Sequence, residues 1–556
     1  VDEAGDAPLH EVLRSAGLPL NTRCGGRGLC DGCLVEPVAG NFVNRASHCD
    51  VDGSHAGLIR ACQHELTSDR GAISVPERSL LTHRPSVVTD FAAVDLGPPD
   101  PIWRQVPQPD GSVRFEHRVN GGWTDFGQTR PAPLESPLGI AIDVGTTTVV
   151  VLLVDLASGR CVAQAADFNH QMRFGDDVLT RITMCSAGPA MVEALRRAIV
   201  DRTVLPLIRD CLGSIDASPD QLVCGTVAGN TTMLHLFAGV DPTSLGVAPF
   251  TPSFLDHRVL RGDLLAPWKK TSGIAPVLHL LPGASAYVGA DLLAGLLTTR
   301  LAEDPGPSLL VDIGTNGEML LKSGDRCIGC ATAAGPAFEG AGLTSGTRGV
   351  EGAIAHVRMT DEPFAIHTTV IADATPIGIC GSAYIDYLAE AVRVGLLSET
   401  GRYYDHLTSL DSADCRGRAV TLARAASGAG ITVSESDVAS LLSAKAAIAA
   451  GVQTLLEVAG LQASDLQTVY LAGGFGLHID VANAVACGLL PGIEPGQVRV
   501  VGNTSLSGAL GCLMQVAWMD RIEHVADGIE IIELNRQPSF EEHFISHLPL
   551  PSPVRA

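Results

Sequence analysis

Two stretches of this chain repeat one short pattern. The first runs Leu138-Gly-Ile-Ala-Ile-Asp143-Val-Gly145-Thr146-Thr147-Thr148, and the second Leu309-Leu-Val-Asp312-Ile-Gly314-Thr315-Asn316-Gly317-Glu318. Each is an apolar strand that ends in an aspartate, turns at a glycine and continues with hydroxyl or amide side chains. The two aspartates lie 169 residues apart. A repeat of that length means two related halves rather than one large domain. The glycines let a backbone turn approach phosphate oxygens, to which hydroxyls and N–H groups donate. An aspartate at each strand end can orient Mg²⁺ through its water shell. The alternative for each is an ordinary Asx turn, since an aspartate before a turn glycine often makes one.

A third glycine-rich strand end, Val469-Tyr-Leu-Ala472-Gly473-Gly474-Phe475-Gly476, follows in the order expected of an adenosine turn. Gly473 and Gly474 would open a slot for adenosine, with Phe475 beside it or filling core behind it. The set of three resembles the actin, sugar-kinase and Hsp70 fold, a two-lobed α/β ATPase. The region from 138 to 556 is assigned to it.

The N-terminal 84 residues carry a different signal: Cys24-Gly-Gly-Arg-Gly-Leu-Cys30-Asp-Gly-Cys33, with Cys62 in Arg60-Ala61-Cys62-Gln63. Three thiolates at x5 and x2 spacing with a distant fourth resemble the cluster loop of a plant-type 2Fe–2S ferredoxin. A loop that wraps a cluster needs positive φ and no Cβ in the way, which glycine supplies. Zinc would ask for two paired C-x2-C arms, and only Cys30/Cys33 make one. Disulfides would need an oxidising compartment. Cys49, in a polar His-Cys-Asp turn, is the competing fourth ligand. A β-grasp ferredoxin-like domain is expected, with its first helix near Leu9 to Ala16. The hairpin that usually precedes that helix in such domains is missing, so either the chain is truncated or the domain is an abbreviated one.

Between the two, residues 85–137 contain nine prolines and read as a semi-stiff connector, interrupted by a small hairpin over Val113 to Trp123. The formal charge of −23 argues against nucleic acid and anionic membrane as partners. No 18-residue apolar run is evident and no secretory signal opens the chain. The 15 cysteines then read as reduced thiols in a cytoplasmic protein. Cys327 and Cys330 form a C-x2-C without a second arm and are expected to be inert.

Further strings carry a more specific resemblance: Phe174-Gly175-Asp176-Asp177-Val178, Gly229-Asn230-Thr231-Thr232-Met233-Leu-His235, and Pro282-Gly283 to Gly289-Ala290-Asp291. Ala334-Gly335-Pro336-Ala337-Phe338-Glu339-Gly340 and Gly502-Asn503-Thr504-Ser505 complete the set. Together they resemble the reductive activators of corrinoid proteins. The family's longer middle region is represented here only by the 85–137 stretch, and Gly381-Ser382-Ala383 stands where Gly-Ser-Gly is usual.

The resemblance implies ATP with Mg²⁺ on Asp143, Asp312 and the turn residues Gly145, Thr146, Thr147, Thr148, Gly314, Thr315, Asn316 and Gly317. Asn230, Gly335, Gly473, Gly474 and Phe475 would complete the nucleotide site, and Cys24, Cys30, Cys33 and Cys62 would bind the cluster. Glu318 and Glu339 are candidates to position a hydrolytic water, with helix capping or pairing to Arg348 as alternatives. Asn230 and His235 are either site residues or a satisfied turn and a core histidine. The implied partners are a corrinoid protein and an external low-potential electron donor, and the implied assembly is a homodimer.

Plant-type clusters sit near −400 mV. Each 100 mV of uphill transfer costs about 2.3 kcal/mol per electron, a gap that ATP turnover in a closing clamp could cover. The chain has no D-x-H-x-x-G corrinoid-ligand motif, so the cobalt would belong to the partner. Competing readings are an electron-injecting activator of another low-potential enzyme and a nucleotide-gated redox sensor or assembly factor.

Overall fold

The computed structural model describes residues 7–18, 20, 26, 28, 33–53, 57–76, 79, 80, 96–261, 276–340, 342–404, 410–414, 417–426, 428–473 and 478–552. Two six-stranded sheets dominate it. The first runs, from its edge, Cys161–Phe168, Thr148–Asp155, Leu138–Val144, Leu222–Gly229, Val277–Leu280 and Arg258–Leu260. The second runs Val498–Gly502, Thr468–Ala472, Ser308–Ile313, Gly317–Ser323, Arg326–Thr332 and Ile529–Ile531. Reversed, its first five strands repeat the first sheet: an antiparallel three-strand meander, then two parallel strands beyond the meander's first strand. The sequence repeat is therefore a repeat of topology.

Sequence and position agree strand by strand. Leu138–Val144 is central and almost wholly buried, as a continuous apolar run should be when both faces are covered. Cys161–Phe168 is mostly exposed or half-buried, as suits an edge. Glu435–Ala459 is the longest helix, closed by a Ser434–Asp437 capping box and a left-handed Gly460. By length and composition it could cross a membrane, against the expectation that no such run exists. Its most apolar window is 78% buried inside the protein, so it is the core helix of the second lobe.

The stretch from 96 onward is not a free connector. Trp103–Pro107, Val113–Val119 and Gly122–Arg130 form a three-stranded antiparallel sheet. Ile102, Trp103, Val113 and Phe115 join the first lobe's core, with the Trp103 and Phe115 rings edge-on at 5.1 Å. The expected hairpin is there, but a third strand whose outward residues are polar hid the sheet. Arg118 grips Asp520 with two bonds of 2.9 and 2.7 Å.

Beside that grip runs a buried ladder. Glu523 Oε1 meets His257 Nδ1 at 2.7 Å, His257 Nε2 meets His279 Nδ1 at 3.0 Å, and His279 Nε2 meets His117 Nδ1 at 3.3 Å. Burial holds His117 down to about 4, and His279 well below its ordinary value. The unfolded chain therefore binds more protons between pH 6.5 and 4, and stability falls as pH drops through that window. For His117 alone the loss approaches about 3 kcal/mol. A His117→Gln variant should show a shallower decline of melting midpoint from pH 7 to 4.5 than the wild type. Parallel declines would contradict the assignment.

The N-terminal domain packs the helix Leu9–Ser15 on two small sheets. Leu34–Ala39 pairs with Ile59–Arg60 and Ala72–Ser74, and Asn41–Asn44 pairs with Asp50–Asp52 and His64–Leu66. Leu9, Leu13, Val35, Phe42 and Leu66 form its core together with Cys33 and Cys62.

Candidate functional site

The two central strands, Leu138–Val144 and Ser308–Ile313, each deliver an aspartate and then a turn to one cleft of about 290 Å³ between the lobes. Gly145 N–H closes the first turn on Thr148 O at 3.0 Å, and Gly314 N–H closes the second on Asn316 O at 2.9 Å. The turns meet at a single carboxylate. The Thr147 hydroxyl donates to Glu339 Oε2 and the Thr315 hydroxyl to Glu339 Oε1, both at 2.6 Å. Glu339 thus ties lobe to lobe. Arg348 lines the same cleft, its guanidinium 4.8 Å above the Phe168 ring.

Asp143 is fixed from the far side. It accepts from Asn503 Nδ2 and Ser505 Oγ, each at 2.7 Å, at the start of the helix Thr504–Met514. Burial nonetheless raises its pKa. Asp291, in the first turn of the helix Ala290–Thr299, is pushed up to about 7 by burial and by the charge of Asp143. Asp312 reaches about 7 through burial and the charges of Asp291 and Asp143. Glu318 is raised well above its usual range by burial, then by Asp291 and Asp312. Carboxylates so arranged disfavour one another's ionisation, and a divalent cation is the natural remedy.

No three His, Cys, Asp or Glu side chains among the described residues converge closely enough to hold a metal directly. The donor set thus fits an ion held through its water shell, as Mg²⁺ commonly is. Asp143, Asp291, Asp312 and Glu318 would hold it there.

The remaining expected residues divide. Thr146, Thr148, Asn230, Asn316 and Gly473 line the cleft. Asn230 serves both readings: it caps the helix Thr231–Ala238 through Met233 N at 3.0 Å and donates to the Thr146 hydroxyl at 3.1 Å. His235 is a core histidine. It is fully buried, bonded to Thr231 O and Ser253 N, and stacked on Phe254 at 4.2 Å.

Gly317 does not line the cleft; a Cβ there would press on Thr332 and Ile448 at 3.1 and 3.2 Å, under the core helix. Gly335 also stays outside, turning the chain at φ +74° into the short helix Pro336–Glu339 that carries Glu339. Gly473 is required by the backbone alone. Its φ is +113°, and a Cβ would lie 2.4 Å from Ile313 O, inside the second turn. Gly474 and Phe475 lie outside the described residues.

Sequence reasoning passed over Asp291, Asn503 and Ser505 as site residues, although all three stand in strings it quoted. Thr347 and Arg348, also in the cleft, follow a loop with no local signature.

In the N-terminal domain, Cys33 and Cys62 are buried thiols, and Ala61 N–H bonds Cys33 O at 3.0 Å. Gly26 and Gly28 have φ of +79° and +75°, so the loop has the left-handed turns its glycines predict. Gln63 Nε2 donates to Gly26 O at 2.9 Å and lies 3.7 Å from Cys62 Sγ, drawing the loop against that thiol. Cys49 is exposed, its thiol facing Ser47 O at 3.7 Å. Buried thiols beside a left-handed glycine loop fit a cluster. Cys24 and Cys30 lie outside the described residues. Cys327 and Cys330 sit three apart on one strand, so they face opposite sides of the sheet and cannot share an ion.

Comparison with known proteins accounts for both lobes. Residues 306–555 match the family model described as the C-terminal domain of RACo, the ASKHA domain, and residues 138–304 match the RACo middle region. The middle region of that description is thus the first lobe, 138–304, and not the 85–137 stretch to which the sequence reading confined it. The chain is 33% identical to the corrinoid activation enzyme RamQ of Eubacterium limosum, over 98% of this chain and 96% of that one. It is 26% identical to the [Co(II) methylated amine-specific corrinoid protein] reductase of Methanosarcina barkeri, over 70% of this chain and 72% of that one. A solved structure of a reductive activator for a corrinoid, iron–sulfur protein superposes with a TM-score of 0.75 at 30% identity, covering 99% of this chain and 97% of the other. Two Asp–Gly turns joined through Glu339, an ASKHA domain and likeness over nearly the whole length have one common explanation: this chain belongs to the RACo family of reductive activators of corrinoid proteins.

Proposed function

We propose that the protein is an ATP-dependent reductive activator that returns an inactive Co(II) corrinoid on a partner protein to Co(I). The observation that carries this reading is likeness over nearly the whole chain, cysteine domain and cleft together, to a reductive activator for a corrinoid, iron–sulfur protein. A 2Fe–2S cluster on Cys24, Cys30, Cys33 and Cys62 supplies one-electron transfer when bound. Asp143, Asp291, Asp312 and Glu318 hold the magnesium of Mg·ATP, and the hydroxyls and N–H groups of both turns hold its phosphates. Glu339, bonded to a threonine of each turn, is placed to sense whether both turns are engaged. An external low-potential donor, a homodimeric assembly and a cytoplasmic setting belong to the same reading through the family resemblance.

The cleft also sets what the ligand must bring. Five carboxylates line it, against Arg348 as the one strong base among its lining residues. A bare triphosphate would meet net repulsion there, whereas its magnesium complex would not. At a hundredfold excess over Kd, Mg·ATP should stabilise the fold by about 2.7 kcal/mol, seen as a higher melting midpoint. ATP with EDTA should give little or none of that shift. The decisive experiment mixes the reduced protein with a Co(II) corrinoid protein and follows Co(I) absorbance and phosphate release together. Both should require Mg·ATP. Co(I) formation at the same rate without nucleotide would refute the coupling.

A further inference from the structure

The first phosphate turn is held from behind by a buried side-chain clamp that lies outside the cleft. Asn169 Nδ2 donates to Gly145 O at 2.9 Å, and Asn169 N–H donates to Thr147 O at 2.8 Å. Between them, Arg181 Nη2 donates to Thr146 O at 2.6 Å. All three carbonyl oxygens of the turn therefore point away from the cleft and are satisfied there. A peptide plane whose C=O is pinned backwards turns its N–H forwards, which is how a backbone nest for an anion is made.

Arg181 is an unusual residue for a purely structural task. It is completely buried, and its guanidinium uses every side. Nε donates to Gly175 O at 2.8 Å, and Nη1 reaches Gln171 Oε1 at 3.1 Å and Met233 Sδ at 3.2 Å. Burial lowers its pKa only to about 10, so it remains a cation at neutral pH. It stands directly behind a turn whose front faces a cleft crowded with carboxylates. Gln171 N–H in turn fixes Asn169 by donating to its Oδ1 at 3.0 Å. One guanidinium thus links the turn, the 169–173 segment and the Gly175 loop into one rigid piece.

We infer that Arg181, acting with Asn169, is a positioning residue for the phosphates of the nucleotide: it pins the Gly145–Thr147 carbonyls so that the turn presents its N–H and hydroxyl groups, backed by a buried positive charge. This deepens the reading of the cleft as a nucleotide site and rests on it. The guanidinium touches no phosphate; its effect passes through the turn.

The test is steady-state ATP turnover by the full chain with a Co(II) corrinoid protein present. Arg181→Gln should raise KM for Mg·ATP about ten- to hundredfold, the range for losing a charge-assisted hydrogen bond, while kcat changes less. Arg181→Lys, which keeps the charge but not the fork, should recover part of that loss. A merely structural role would lower the active fraction, hence apparent kcat, and leave KM alone; that outcome overturns the inference, as does an unchanged KM. Asn169→Asp keeps the acceptor for Gln171 N–H and loses the donor to Gly145 O. It should raise KM in the same way, and it serves as the deciding variant if Arg181→Gln does not fold. Absence of Mg·ATP binding by the wild type would instead refute the nucleotide site itself, a result separable from all of these.

Discussion

An Asp312→Asn variant should lose nucleotide-dependent Co(I) formation by about a hundredfold or more, the scale of removing one electrostatic stabiliser from a water-poor site. Its cluster spectrum should be that of the wild type. The physical grounds are local. Asp312 stands in the cleft with Asp291 and Asp143, and desolvation, then their charges, lift its pKa to about 7. Asparagine keeps the shape and removes the charge that would orient magnesium. It also relieves the repulsion, so the nucleotide-free variant should melt no lower than the wild type, and higher above pH 7. The sign follows from linkage: a carboxyl raised from its usual value to about 7 binds its proton more tightly folded than unfolded, so it costs stability as pH rises through that interval. Because the cysteine domain is separate from the cleft, the variant should still accept an electron from dithionite. Stopped-flow absorbance with a corrinoid protein measures the outcome. Wild-type rates from Asp312→Asn would leave a ferredoxin whose ATPase fold plays no part in the transfer.

The second large effect separates the candidate cluster ligands. Cys62→Ser should abolish or strongly shift the visible charge-transfer bands and the EPR signal, whereas Cys49→Ser should alter neither. Cys62 is 3% exposed, beside the Gly26 turn, with Gln63 joining the two. Cys49 lies exposed in the Asn44–Cys49 turn, which closes on itself through Asn44 N–H to Cys49 O at 2.9 Å and two bonds to Asn44 Oδ1. Moving its sulfur to the loop would require opening that turn. The opposite pattern, with the cluster lost from Cys49→Ser and kept in Cys62→Ser, would reassign the fourth ligand. Serine can ligate iron, so a shifted spectrum in Cys62→Ser counts with a lost one.

These experiments concern residues that the sequence marked and residues that it did not, and the division has a physical basis. The strand–Asp–Gly–Thr pattern is legible because it is local. A buried central strand needs an unbroken apolar run, and a tight turn toward phosphate needs glycine, so Asp143 and Asp312 declare themselves within a dozen residues. The cysteine spacing and its glycines are legible for the same reason: Gly26 and Gly28 sit at the positive φ that their loop demands. Asn230, read as a site residue or a turn residue, belongs to this class too.

What the tertiary structure decided lies at long range. Glu339 could be read as a cap, an ion-pair partner or a water-positioner, because its two partners, Thr147 and Thr315, are 192 and 24 residues away. Asp143 gave no hint that Asn503 and Ser505, 360 and 362 residues on, would fix it. Asp291 carries no pattern of its own and becomes a site residue only when helix Ala290–Thr299 brings it beside the two turns. Gly473 was marked for a ligand, and the structure adds a constraint the sequence did not show: the backbone at Ile313 by itself leaves no room for a Cβ. Arg181 and Asn169 lay unmarked because a carbonyl's need for a donor is written nowhere in its own residue type. Periodicity and turn chemistry operate over one or two turns of chain, and they determine which segments form the lobes and which residues tip the strands. Which of those tips face one another, and which buried charges must then share a cleft, is set only when the two lobes close.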